Sequence, residues 1–201
     1  GPRTMTVNFL LFEPLLEYYG HIVAVLSEIG KVGIGKTRNN YTVMDVADMS
    51  VSDKKLAGAD MAMFKPAIKE WQPAVSSQGD RSSCSIEFIS PTRIERRGEY
   101  KDDPSFQDVI KSCLMRFLNL ERAYSDKGSE LSRNARDIIE KAGTVTTEKS
   151  DLVWTRRERY SARQKTRLST GGFTGNACFH GETEMFRSLL EFGSHVGIGK
   201  N

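Results

Sequence analysis

Cysteine is scarce in this chain, and the three present form no pattern. Cys84, Cys113 and Cys178 are far apart, with no C-x-x-C spacing and no neighbouring histidine pair. Neither a disulfide framework nor a zinc site is expected from them. Buried thiols in a cytoplasmic protein are the expectation instead. Long apolar runs are missing too: no stretch is long enough to span a bilayer, and no secretory leader is visible. Charge of one sign is also lacking, with 29 Lys and Arg against 26 Asp and Glu, a formal net charge of +3. An argument for a polyanionic partner must therefore rest on where the cations sit. There is no initiator Met, so the sequence reads as a fragment. Its 201 residues, 38% hydrophobic and 27% charged, suit one large globular domain or two small ones.

What the chain does have is a stretch spelled twice. Val32-Gly33-Ile34-Gly35-Lys36 returns as Val196-Gly197-Ile198-Gly199-Lys200. Each copy follows an amphipathic helical pattern expected to end in Gly, at Gly30 and at Gly193. Two glycines around one Ile let a backbone approach another backbone or a phosphate closely, and the duplication argues for two related supersecondary blocks. Gly30 to Thr37 also matches the G-x-x-x-x-G-K-[ST] phosphate loop letter for letter. That loop needs a strand before it and a helix after it. Here a helical pattern precedes, a strand-like stretch follows, and the second copy has Asn201 in place of Ser or Thr. Nucleotide hydrolysis is therefore not expected.

Taken in order, Thr4 to Phe12 alternates, with Met5, Val7, Phe9 and Leu11 on one face of an expected strand. Leu15, Tyr19, Ile22, Leu26 and Ile29 then recur at helical spacing, with Gly30 as the expected cap. His21, four residues after Glu17, reads as solvated. Tyr41 to Val46 reads as a strand, which makes the first block β-α-β. Residues 49–83, rich in Gly, Pro and Ser, read as a surface hairpin or linker.

The second block starts with a strand over Ser85 to Ile94, with Ile86 and Phe88 inward and Pro91 near its exit. Asp103-Pro104 is expected to start a helix with Asp103 as N-cap. Its apolar stripe is Phe106, Ile110, Cys113, Phe117, Leu120 and Tyr124. A further helix over Ser129 to Ala142 ends at Gly143. Thr146 to Leu168 reads as a long basic strand, turned by Gly171-Gly172 into another over Phe173 to His180. Thr183 caps a short helix carrying Phe186, Leu189 and Leu190. The order β-α-(α)-β-β-α is one strand short of the ferredoxin-like β-α-β-β-α-β unit. If the blocks are homologous, a strand is expected to follow Asn201 and a β-α-β segment to precede Gly1.

Arg157, Arg159, Arg163, Lys165 and Arg167 share odd parity within the basic stretch. On one extended strand they would line a single face about 7 Å apart, close to the spacing of phosphates along a polynucleotide. A solvated strand paired with carboxylates elsewhere is the alternative, but only Glu158 and Asp151 lie nearby in sequence. A nucleic-acid-binding face is therefore expected, which Arg93, Arg96 and Arg97 could extend.

These residues together resemble the RAMP-superfamily CRISPR repeat-RNA-processing endoribonucleases. The likeness runs through Phe9-Leu10-Leu11-Phe12, the Leu26 to Arg38 segment, Phe88-Ile89-Ser90-Pro91-Thr92-Arg93-Ile94 and Asp151-Leu152-Val153-Trp154. It continues in Arg159-Tyr160-Ser161-Ala162-Arg163-Gln164, Gly171-Gly172-Phe173-Thr174-Gly175 and His195 to Lys200. The resemblance implies an α+β chain of tandem ferredoxin-like (RRM-like) RAMP domains, the first partial and the second lacking its last strand. The expected division is 1–48, the second half of one domain; 49–83, a hairpin or linker; and 84–201, the second domain. The implied activity is cleavage of CRISPR repeat RNA without metal or other cofactor, through 2′-OH attack on the adjacent phosphorus. Implied partners are the repeat RNA and other CRISPR-associated proteins, in a prokaryotic cytoplasm with no membrane contact. The rival reading is a non-catalytic RAMP module that binds RNA or scaffolds a complex.

Such a reaction needs a base, an acid and cations around the phosphorane. His195, beside the second glycine loop, is the candidate catalytic residue, although its position equally suits a loop histidine bonded to backbone. Tyr160 and Lys36 are further possibilities, and His180 reads as exposed. The expected RNA contacts are Arg157, Arg159, Tyr160, Arg163, Lys165, Arg167, Gly197, Gly199 and Lys200, with Lys36 and Arg38 in the first copy.

Overall fold

A computed structural model of the chain describes residues 4–47, 55–56, 82–124, 129–156, 158–161, 165–169 and 171–199. The chain divides into two compact units, Gly1–Trp71 and Gln72–Asn201. The division falls inside the segment 49–83, most of which lies outside the described residues.

The first unit is built on α2 (Tyr19–Val32), preceded by a single turn, α1 (Glu13–Leu16). Tyr19 and Val23 are buried under Leu11, Val43 and Val46. The strand expected at Thr4 to Phe12 does not form. Those residues are irregular, and Met5, Val7 and Phe9 are exposed. Alternation stabilises a strand only where a neighbour completes the ladder, and no described strand of this unit pairs with it. The expected strand at Tyr41 to Val46 shrinks likewise to β1 (Val46–Ala47), which pairs antiparallel with β2 (Lys55–Leu56). The block is thus not β-α-β. Gly30 is not the cap either: it lies inside α2, where a Cβ would collide with the Tyr41 carbonyl. Tyr41 crosses the helix there, its N–H donating to Gly30 O at 3.1 Å and its hydroxyl to Leu26 O at 2.7 Å.

In the second unit β3 (Ser83–Thr92), β9 (Gly172–His180) and β6 (Thr146–Thr155) form an antiparallel sheet in the order β3-β9-β6. Phe88, Phe173, Ala177 and Phe179 are its buried apolar side chains. They face α3 (Phe106–Tyr124) and α6 (Arg187–Val196), the latter entered through a 3-10 turn at Glu184–Phe186. Phe106 packs on Phe179 and Phe186 at ring distances of 5.1 and 5.3 Å, and Phe117 on Phe192 at 5.4 Å. Each fully buried Phe contributes about 1.5–3 kcal/mol, so this aromatic layer dominates the unit. Of the three thiols only Cys113 is buried, while Cys84 and Cys178 are half-exposed.

Start signals were shifted rather than absent. The cap of α3 is Ser105, not Asp103: Asp108 accepts from Ser105 N at 3.1 Å and from its hydroxyl at 2.7 Å, a reciprocal cap. Asp103 instead accepts from Ser150 at 2.6 Å. The helix expected over Ser129 to Ala142 breaks at Asn134 into α4 (Glu130–Arg133) and α5 (Ala135–Ala142). A hairpin not anticipated from the sequence, β4 (Ile94–Arg96) and β5 (Glu99–Lys101), intervenes before α3. Its two-residue turn has φ of 56° at Arg97 and 86° at Gly98, the type I′ turn whose twist matches flanking strands.

The long basic strand is the main correction. It ends at Thr155, and the chain then folds as a second hairpin, β7 (Glu158–Ser161) with β8 (Thr166–Ser169). The register pairs Arg159 with Leu168 and Tyr160 with Arg167, so Arg159 and Arg167 do not share one row of the ladder. Lys165 lies in the turn with φ of 49°. Arg157 and Arg163 lie outside the described residues. One continuous row of five cations therefore does not exist.

Candidate nucleic-acid interface

The repeat has the same backbone in both units. Each helix runs past its earlier glycine and stops at the first Gly of the shared pentapeptide. Gly33 caps α2 with φ 86° and ψ 153°, and Gly197 caps α6 with φ 72° and ψ 155°. That region is essentially closed to residues with a Cβ. The next glycines match too, with φ of 77° at Gly35 and 87° at Gly199. Gly193, expected as the cap of the second helix, is buried inside it instead. A Cβ there would meet Cys113 Sγ at 2.7 Å. Burial pushes the Cys113 thiol up to about 12, so it acts as packing and not as a thiolate nucleophile.

Beyond the caps the two copies part. After Gly33 the chain turns back on itself, with Ile34 and Asn39 exchanging two backbone hydrogen bonds of 3.0 Å. Lys36 and Arg38 are exposed on this turn. A helix precedes the loop and irregular chain up to β1 follows it, so among the described residues no helix starts behind Lys36 as a phosphate loop requires.

In the second unit the loop is anchored at one glycine and open at the other. A Cβ at Gly199 would lie 2.5 Å from the Arg93 carbonyl oxygen, whereas nothing lies within 4 Å of that position at Gly197. From α3, Arg116 Nη2 donates to Gly199 O at 3.1 Å. Gly199 thus seats the loop against the exit of β3. That exit also meets the root of the β7–β8 hairpin: Gly172, paired with Thr155, would with a Cβ lie 2.6 Å from Thr92 O. Pro91 sits at the same exit, within a register shift that avoids the N–H it lacks. Two elements that sequence reading treated separately, the glycine loop and the basic hairpin, therefore meet at Thr92–Arg93.

Arg93 lies with its guanidinium carbon 5.3 Å from the Tyr100 ring centroid, and that ring is 6.5 Å from Trp154. Arg96 reaches Asp108 Oδ2 at 3.7 Å. His195 is exposed in the last turn of α6, two residues before Gly197. His180 is at the far end of β9 from Gly172, about 26 Å along the strand at 3.3 Å per residue. Lys200 lies outside the described residues, and nothing is described of the Arg159, Tyr160 and Arg167 side chains. Lys36 and Arg38 belong to the first unit. Sequence reading missed Arg116 and Tyr100. The type I′ spelling Arg97-Gly98 between short alternating runs could have revealed the hairpin that carries Tyr100, but no local signal ties Arg116 to Gly199. Among the described residues no helix is long and apolar enough to cross a membrane.

The product complex of a Cas6 has 17% sequence identity and a TM-score of 0.53, over 88% of this chain and 64% of that one. A Thermus thermophilus Cas6 structure gives 18% and 0.44 over 60% and 49% of the two chains. The product complex of another Cas6 gives 25% and 0.38 over 61% and 48%. The first of these shows a shared fold, and the chain spans less than two thirds of each of the Cas6 chains. No curated protein matches the sequence. The model of the family described as CRISPR-associated endoribonuclease Cas6 matches residues 86–201. That stretch carries the Arg93 corner, the β4–β5 and β7–β8 hairpins and the second glycine loop, and by it the chain belongs to the Cas6 family.

Proposed function

We propose that the chain binds CRISPR repeat RNA and takes part in its endonucleolytic processing. The observation that carries this reading is the family match over residues 86–201, within which every element of the Thr92–Arg93 corner falls. In the proposed step a base removes the proton of a ribose 2′-OH and O2′ bonds to the adjacent phosphorus. The P–O5′ bond breaks and an acid protonates O5′, leaving a 2′,3′-cyclic phosphate and a 5′-OH. His195 is the proposed proton-transfer group. Gly197, Gly199, Lys200 and the arginines and lysine of the β7–β8 region are proposed to hold the phosphates, as are Lys36 and Arg38 in the first unit. Cations aimed at the phosphorane stabilise charge that the ground state lacks.

The sheet order β3-β9-β6, crossed by α3 and α6, supports a ferredoxin-like domain over 84–201 short of one edge strand. The matching caps at Gly33 and Gly197 support a related helix-to-loop unit in the first block, and on that unit the proposed tandem arrangement rests. Other CRISPR-associated proteins as partners and a prokaryotic cytoplasm belong to the same proposal.

One observation favours a second reading, a module that binds without cutting. The reaction asks for two proton-transfer groups, and in the second unit His195 is the one described histidine at the corner, His180 lying at the far end of β9. Incubating the protein with the repeat RNA of its own array in EDTA separates the two. Product ending in a cyclic phosphate, lost in His195→Ala, supports processing with His195 in the proposed role. Tight binding with intact RNA supports the module, and neither binding nor product contradicts both.

A further inference from the structure

The β4–β5 hairpin holds Tyr100 on its outer face, beside Arg93. Ile94 is only 2% exposed and pins β4 to the core, Arg96 is tied to Asp108, and the Arg97-Gly98 turn is set by its positive φ angles. On this frame Tyr100 is 45% exposed. The Arg93 guanidinium lies over its ring, and the half-buried Trp154 ring stands 6.5 Å away, tilted by 36°. Two aromatic rings partly open to solvent, one of them under the Arg93 guanidinium, are more than core closure requires; Arg96 and Lys101 lie on the other face of the hairpin, and Glu95 is the cross-strand neighbour of Tyr100. Gly199 seats the glycine loop on the Arg93 backbone, so the loop and the aromatic pair share one residue.

We propose that Tyr100 and Trp154 form a stacking step for one unpaired nucleobase, whose neighbouring phosphate lies at Arg93 and the Gly197–Gly199 loop. This rests on the RNA-binding reading above and adds to it a base-holding subsite. Base–aromatic stacking tolerates any base because every base has a π-face. The step therefore adds affinity for a single-stranded segment without choosing its sequence. Phosphate contacts supply the salt-dependent part of binding, and the stack supplies a part that salt leaves alone.

The test uses the whole chain, an oligoadenylate of about ten nucleotides and the same ribose-phosphate backbone without bases, both at low salt. Wild type binds the oligoadenylate on the order of tenfold or more tightly than the abasic backbone. In Tyr100→Ala that preference collapses while affinity for the abasic backbone holds, and in Tyr100→Phe the preference returns. In a Trp71→Phe background Trp154 is the only tryptophan, and oligoadenylate quenches its fluorescence where the abasic backbone does not. Equal preference for bases in wild type and Tyr100→Ala, or a Trp154 signal blind to the bases, overturns the stacking step and leaves RNA binding intact. A Tyr100→Ala protein that is merely less stable, with its base preference unchanged, does the same. If neither oligomer binds, the RNA-binding reading fails and the subsite with it.

Discussion

Glycine holds two different positions in this chain, and substitutions tell them apart. Gly197 has open space around it but a backbone conformation that a Cβ resists, so Gly197→Ala should cost about 1–3 kcal/mol from strain alone, read as a lower urea midpoint. Gly193 has an ordinary helical backbone but no room, because a Cβ would sit 2.7 Å from Cys113 Sγ and 3.0 Å from Ile198 Cγ2. Gly193→Ala should therefore destabilise the second unit and be partly rescued by Cys113→Ala, a coupling that additive effects would not give. Cys113 also predicts a pH limb. Its thiol is raised from 9.0 to about 12 by burial, so between those values the folded chain keeps a proton that the unfolded chain has lost. Its contribution is intact below about pH 9 and declines as pH rises from there toward 12, at about 1.4 kcal/mol per unit. Urea titrations at several alkaline pH values should show a shallower decline in Cys113→Val. The spacing of Gly33 and Gly197 made the repeat legible, but the exact cap was not, because Gly30 and Gly193 also look like stops. What excludes them is a contact with residues distant in sequence, Tyr41 and Cys113.

The elements read well where local periodicity and packing agree. The helix over Phe106 to Tyr124 is an example, since its stripe at Phe106, Ile110 and Cys113 is buried. Its start was misplaced by two residues because Asp103 and Ser105 are both good caps by type, and only the reciprocal bonds with Asp108 decide between them. Asp108→Ala should remove those bonds and the Arg96 ion pair together, lowering stability by about 1–3 kcal/mol. Ser105→Ala should cost about 1 kcal/mol, both measured by urea unfolding. Strands read less well, since alternation says nothing about a partner: Thr4 to Phe12 alternates and stays irregular. Parity failed for the basic run for a related reason. Between β7 and β8 the run reverses direction, as their antiparallel pairing requires, and side-chain alternation does not carry through a reversal. Along α2, Val25 and Ile29 are exposed, while their counterparts by the repeat, Leu189 and Gly193, are buried in α6. Equal spelling of the loop therefore does not mean equal surroundings of the helix.

For the molecule as a whole, net charge was a poor guide and placement a better one. A chain at +3 still gathers Arg93, Arg96, Arg97 and the roots of its basic hairpin on one exit of the sheet. The sequence signalled each part but not their meeting, which depends on Gly172 and Gly199 letting two backbones close on Thr92 and Arg93. The α+β class could be read from element order. The corner could not, because it is made by contacts between residues about 80 to 110 positions apart. The most direct measurement is the affinity for repeat RNA across a salt series, for wild type, Arg93→Ala and Lys200→Ala. If this corner holds RNA phosphates, each variant binds more weakly and its plot of log affinity against log salt flattens by about 0.7 to 0.9 units. Unchanged affinity and slope in both variants would contradict the account.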